Sequence, residues 1–395
     1  MKRTLRLLLT VGVSLVCVSL FAQKFPNYPI PQQPDTLRIL GIGNSFTDDG
    51  MMYLPELLEA AGIRNVVLGR LYIAGCSLER HCREYAGNAP AYIYYKSTSN
   101  RWETVSKKAT LLDGIADERW DVVVLQQSSG KSGIYPTYQP WFGRLVEIVR
   151  WNCPNAGACI AWQQTWAYAR NSQHRDFGRY EKNQQLMYRG IVSSVEQLMR
   201  ETSVEVVVPS GTAIQDLRST ALCDSLDLTR DGYHLNPGAG RYTAACAWFQ
   251  TLVAPAFGTN VAGNGCRLAG TPHELTPQEA EACQEAARRA CIRRFSVWTE
   301  PVAGEGGTGI PPCGYRYRSI RRSIPVICRM WLRSRPAPPR LSKQKKRSAK
   351  TSWSGKRDSN PRPSAWEADA LPTELFPRYG VQSYSVFFIC QVFGG

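Results

Sequence analysis

Five short apolar runs, each separated from the next by enough chain to hold a helix, constrain this sequence more than any other feature. They are Leu37 to Ile42, Asn65 to Ala74, Trp120 to Leu125, Ala158 to Trp162 and Val204 to Val208. Each stops at Gly, Gln or Pro: Gly43, Gly75, Gln126, Gln163 and Pro209. A strand buried on both faces reads as an unbroken apolar run of this length rather than as an alternation. Helical spacing is read at Met51 to Gly62, Thr104 to Asp117, Tyr138 to Trp151, Arg179 to Glu201 and Gly238 to Val253. Strands alternating with helices predict a parallel sheet covered on both faces, in one domain over residues 35–300. Thr276-Pro277-Gln278-Glu279 has the form of a capping box with Pro at the first helical position, and predicts a last helix to about Phe295. The tyrosine-rich stretch from Glu79 to Asn100 predicts an irregular insertion.

Charge narrows the partners. The net charge of +16 suggests an anionic partner, but residues 301–395 carry 17 Lys+Arg against 5 Asp+Glu, so most of the excess lies there. The main domain is close to balanced, which argues against nucleic-acid binding by it. The end of the chain, from Lys356 to Arg378 in particular, resembles translated non-coding sequence, and residues 301–395 are expected to be a disordered basic tail foreign to the fold. At the other end, Lys2, Arg3 and Arg6 precede an apolar run from Leu7 to Phe21 and a cleavable Ala22-Gln23. This pattern predicts a signal peptide over residues 1–23, export to the periplasm or beyond, and no stable membrane span after cleavage. Thirteen cysteines without a C-x-x-C pair indicate neither a metal site nor a disulfide framework; Cys76/Cys82 and Cys153/Cys159 are the local pairs to consider. No cofactor is expected.

Two motifs carry chemistry. Gly43-Asn44-Ser45 ends the first strand and puts a hydroxyl where backbone amides at a helix start can meet negative charge. Asp231-x-x-His234 places a carboxylate where it can accept from one imidazole nitrogen, leaving the other to act as a base. His81, His174 and His273 have no acid at that spacing.

Ser45 early and Asp231-x-x-His234 late, around such a core, resemble the SGNH (GDSL-type) hydrolase superfamily over residues 37–255. The first block, Gly43-Asn44-Ser45-Phe46-Thr47, is similar to that of a branch named only as a domain of unknown function. The resemblance implies a three-layer α/β/α fold on a five-stranded parallel, flavodoxin-like sheet. It implies Ser45 as nucleophile, His234 as general base and then acid, and Asp231 as the orienting carboxylate. The amides of Ser45 and Gly75 would meet the oxyanion. The usual Gly-x-Asn-Asp of the third block is replaced by Gln126-Gln127-Ser128-Ser129-Gly130, so Gln127, or alternatively Gln126, is expected to supply the side-chain donor. Arg80, which follows Gly75 closely, and Trp166 and Tyr168, whose aromatic rings with a polar edge suit sugar faces, are candidates for substrate contact. The expected activity is hydrolysis of acyl esters, acetyl foremost, on a small molecule or a glycan. A catalytically silent glycan-binding protein and a lipid or thioester hydrolase are the alternatives.

Overall fold

Val122–Leu125 (β5) is buried at all four positions and is the middle one of the five parallel strands. Burying one such side chain contributes about 1.5–3 kcal/mol, which is why so short a strand can hold the middle of a fold. The computed structural model describes residues 29–224 and 226–297. The leader expected at 1–23 and the tail expected at 301–395 lie outside the described residues.

Around β5 the order is β4-β3-β2-β1-β5-β6-β7, with β1 at Leu37–Gly43, β2 at Val66–Tyr72, β3 at Tyr92–Ser97, β4 at Glu103–Ala109, β6 at Cys159–Gln163 and β7 at Val206–Val208. β2, β1, β5, β6 and β7 are parallel and correspond to the five apolar runs. The sheet nevertheless has seven strands, not five. Tyr92–Ser97 pairs antiparallel with β2, and Glu103–Ala109 pairs antiparallel with Tyr92–Ser97. Tyr92 and Tyr94 point inward and are buried, so the tyrosine-rich stretch is largely ordered structure. β4 is an edge strand, exposed at five of its seven positions and carrying Lys107 and Lys108. Edge lysines discourage pairing with another sheet, but they erase the alternation that reveals a strand. Only Leu111–Ile115 (α4) of the helix expected from Thr104 is helical, and it starts at a complete Thr110/Asp113 capping box.

The helices follow the strands. Ser45–Met51 (α1) begins directly after β1, six residues before the expected start, and Leu54–Ala60 (α2) continues it. Leu78–Ala86 (α3), Trp141–Asn152 (α5) and Gln184–Glu201 (α6) come next. The last of these starts later than Arg179 because Asn183 caps it, its side chain accepting from the Leu186 amide at 3.0 Å. Ser210–Leu217 (α7) follows β7. Ala239–Trp248 (α8) runs through a π turn at Phe249–Val253 into Ala254–Phe257 (α9). The capping box at Thr276 forms with both of its hydrogen bonds and opens Pro277–Ile292 (α10). No helix among the described residues is long and apolar enough to cross a membrane.

The parallel strands therefore run 2-1-5-6-7, and the direction of winding reverses between β1 and β5. A crevice opens beyond the C-terminal strand ends at such a point, and β1 delivers Ser45 to it.

Candidate active site

Local structure at the end of β1 is set by Asn44. It is buried, caps α1, and accepts from the Phe46 amide at 2.9 Å. The same Oδ1 accepts from Gln126 Nε2 at 2.6 Å, while its Nδ2 donates to the Cys76 carbonyl at 2.8 Å. One side chain thus ties together the chain after β1, the chain after β5 and the loop after β2. Gly43 allows α1 to turn back this closely, since a Cβ there would lie 2.1 Å from Thr47 Oγ1. Ser45 takes the first helical position, where its amide has no intrahelical acceptor.

Asp231 and His234 lie in a tight turn bracketed by the Thr229–Leu235 bridge. Asp231 Oδ1 accepts from the amides of Tyr233 (3.1 Å) and His234 (2.8 Å). Its Oδ2 lies 2.6 Å from His234 Nδ1. A carboxylate only accepts, so Nδ1 carries the proton and Nε2 presents a lone pair. That Nε2 is 2.9 Å from Ser45 Oγ. Burial works against the Asp231 charge, but the His234 ring and the two amides outweigh it and hold the carboxyl below its usual range. Gly232 passes the turn at φ +87, packed against Ser172, in a conformation that L side chains rarely adopt.

A residue that the motifs do not reveal joins these two pieces. Asp49, one turn beyond Ser45 on α1, is completely buried. Its carboxylate accepts from Arg230 Nη1 (3.2 and 3.3 Å), from Arg241 Nε on α8 (2.7 Å) and from the Leu235 amide (2.9 Å). Arg230 and Leu235 flank the Asp231–His234 turn on either side. The helix that carries the serine therefore grips the loop that carries the histidine. The only trace of this in the sequence is that Ser45 and Asp49 are spaced to share a helix face. From the far side, Trp166 Nε1 donates to the Tyr233 carbonyl (2.8 Å) and the Ala169 amide to the Gly232 carbonyl (2.8 Å).

The other side of Ser45 differs from what the sequence suggests. Gly75 sits in the loop after β2 at φ +61, and its amide, like that of Ser45, has no acceptor among the described residues. The Gln127 side chain is turned toward Thr137, whose hydroxyl accepts from its Nε2 at 3.3 Å. Its Nε2 donates to the Thr137 carbonyl (2.9 Å), and its Oε1 accepts from the amides of Leu78 (3.2 Å) and Ser128 (2.8 Å). Gln126 is engaged with Asn44. Both amides act as struts between loops, because the chain after β5 folds back over the strand ends with backbone groups to satisfy. Arg80 lies beside the Gly75 loop but pairs with Glu84 (3.0 Å) and donates to the Ala74 carbonyl (3.4 Å), which braces the loop. Trp166 and Tyr168 are completely buried and cannot present a face to a substrate. Trp166 stacks on Phe46 with ring centroids 4.2 Å apart, and Tyr168 bonds Ser129 through their hydroxyls at 2.8 Å. Cys76, Cys82, Cys153 and Cys159 are free thiols, so neither local pair forms. His81 is buried against Tyr92 (2.9 Å), and loss of hydration pushes its pKa down to about 3. Among the described residues no cluster of three or more His, Cys, Asp or Glu could hold a metal.

Comparison with known proteins places these residues in a wider set. Residues 38–290 match the model of a domain of unknown function, DUF4886. A DUF4886 protein from Bacteroides uniformis, solved by crystallography, is 39% identical, with 67% of this chain and 98% of that one covered at a TM-score of 0.61. A protein from Slackia heliotrinireducens, provisionally named an SGNH hydrolase, is 22% identical over 55% of this chain and 98% of its own, at a TM-score of 0.38. An acetylxylan esterase from Geobacillus stearothermophilus is 14% identical over 57% and 96% at a TM-score of 0.36. No curated protein matches the chain.

Proposed function

The chain belongs to the DUF4886 family, and on that premise we propose that it is a serine ester hydrolase of the SGNH type. The reading is carried by one observation, the run of contacts from Asp231 Oδ2 to His234 Nδ1 at 2.6 Å and from His234 Nε2 to Ser45 Oγ at 2.9 Å. In it, His234 Nε2 removes the hydroxyl proton as Ser45 Oγ attacks the ester carbonyl. Asp231 holds the ring in the required tautomer and stabilises the imidazolium that forms. The negative charge that develops on the carbonyl oxygen is met by the amides of Ser45 and Gly75. This makes a two-amide oxyanion hole, with the side-chain donor of the usual third block given up. His234 then returns its proton to the departing alcohol, and water, activated by the same nitrogen, releases the acid.

We place the activity on short acyl groups, acetyl first, borne by a carbohydrate, in an exported protein. The basic and apolar character of residues 1–21 supports export. Purified protein should hydrolyse p-nitrophenyl acetate and be labelled by a fluorophosphonate, and Ser45→Ala should lose both while keeping its melting temperature. Undiminished turnover in Ser45→Ala would remove Ser45 from the mechanism. Rates that rise with acyl chain length would point to a lipid or thioester hydrolase. A second reading, a silent glycan-binding protein, is favoured by the engagement of Gln126 and Gln127; it requires wild-type protein that binds glycan yet resists the label.

A further inference from the structure

Acyl transfer dictates where the two halves of an ester go. His234 Nε2 faces Ser45 Oγ at 2.9 Å and must return its proton to the alcohol oxygen. The alcohol half of the substrate therefore lies on the imidazole side of Ser45. The half-exposed side chain on that side is Tyr233. Its ring centroid is 4.1 Å from that of His234, at 41°. Both ends of its backbone are pinned, the amide by Asp231 Oδ1 and the carbonyl by Trp166 Nε1, so the ring's position is set by the same turn that sets the imidazole. Its hydroxyl has no partner among the described residues.

His174 completes the wall. Its ring meets the Tyr233 ring edge-on at 4.6 Å, and Tyr168 supports both from below at 4.8 and 5.8 Å. His174 Nδ1 accepts from the Asp176 amide at 3.1 Å, which leaves the proton on Nε2. That N–H has no acceptor among the described residues. Burial, opposed by Asp176 and helped by Arg175, lowers the pKa of this imidazole, so it is neutral at neutral pH. The nearby carboxylates are paired, Asp231 with His234 and Asp176 with Arg179 at 3.1 Å, while Arg175 is exposed and has no ion-pair partner among the described residues. The two rings of the wall thus offer an aromatic face, a neutral N–H donor and a free phenol, and neither ring carries a charge. A flat apolar face edged by hydroxyls and carrying no charge is the complement of such a surface, and a neutral sugar ring has that form.

We propose that Tyr233 and His174 form the subsite for the alcohol half of the ester and that it takes a neutral sugar ring, a reading that rests on the hydrolase assignment and deepens it. The test compares fully acetylated methyl glucoside with ethyl acetate, an ester whose alcohol is too small to reach the wall. In Tyr233→Ala the ratio of kcat/KM for the glucoside to that for ethyl acetate should fall about tenfold, chiefly through KM, as expected for loss of one aromatic contact. His174→Leu should lower the same ratio, and His174→Gln, which keeps a donor, should restore part of it. Equal losses on both esters would mean that the wall only supports His234, and would overturn the subsite. Calorimetry with the acetylated glucoside on Ser45→Ala separates this from failure of the hydrolase reading. Binding that disappears when Tyr233→Ala is added sustains the subsite even if the wild type proves inert. Binding indifferent to Tyr233 and His174, or absent, overturns it.

Discussion

The two sides of Ser45 are built on different principles. On the side of His234 the order is electrostatic: a fully buried carboxylate, Asp49, is met by two guanidinium groups and an amide, and the loop it grips is long in sequence from the helix that carries it. On the side of Gly75 the order is made of neutral amides, with Asn44, Gln126 and Gln127 bonding one another or nearby backbone. The charged side can bring together a base and a nucleophile across 189 positions of chain. The neutral side shapes a loop so that two backbone amides remain free. A side chain engaged in shaping a loop is less available to a substrate, and the bonds of Gln127 to Thr137, Leu78 and Ser128 are those of a strut.

Substitutions can break this contrast. The largest effect after Ser45→Ala is expected from Asp231→Asn, which keeps the shape of the turn but spoils the tautomer, with kcat lower by about 10²–10⁴ and KM little changed. The same variant carries a stability signature. The Asp231 carboxyl is held below its usual range in the folded state, so its contribution is present above the unfolded value of about 3.9 and is lost as pH falls through the folded one. Melting curves of Asp231→Asn should lack that acid-side decline.

Next comes Asp49→Asn. It takes the counter-charge from Arg241 and from Arg230, whose side chain is 36% exposed, for a loss in urea unfolding at or below the low end of the roughly 3–5 kcal/mol that breaking a fully buried pair costs. Turnover per titrated active site should fall about 10–100-fold, since a small misplacement of the base is costly. Amide exchange at Leu235 should accelerate with it. Unchanged exchange there would mean that the grip on the loop lies elsewhere.

The smallest effect should come from the neutral side. Gln127→Ala is expected to lower stability by about 1–3 kcal/mol, because it strands the amides of Leu78 and Ser128. Its kcat should stay within about threefold of wild type, against the 10²–10³ that loss of an oxyanion donor costs. A loss of the larger size would sharpen the comparison the other way and return Gln127 to the chemistry.

How much of this was legible depended on the kind of signal. The parallel strands β1, β2, β5, β6 and β7 are apolar for burial on both faces, and composition alone reveals them. β3 and β4 escaped notice because an edge hairpin buries one face at most, and Lys107 and Lys108 on the outer strand hide its period. The placement of Ser45, Asp231 and His234 is legible because the turn that joins Asp231 to His234 is local and the strand that presents Ser45 announces its own end. Trp166 and Tyr168 were misread for a related reason, since an aromatic residue at a strand end has the same letter whether it lines a cleft or supports its floor.

By itself, then, the sequence determined the strand count of the parallel core, its layering, and the identity of the nucleophile, base and carboxylate candidates. All of these follow from patterns within a few residues of each other. The tertiary structure decided which glutamine faces what, which ring is exposed beside His234, and that Asp49 answers to Arg230 from 181 positions away. Those are outcomes of chain segments competing for the same hydrogen bonds and the same space, and that competition exists only once the segments have met.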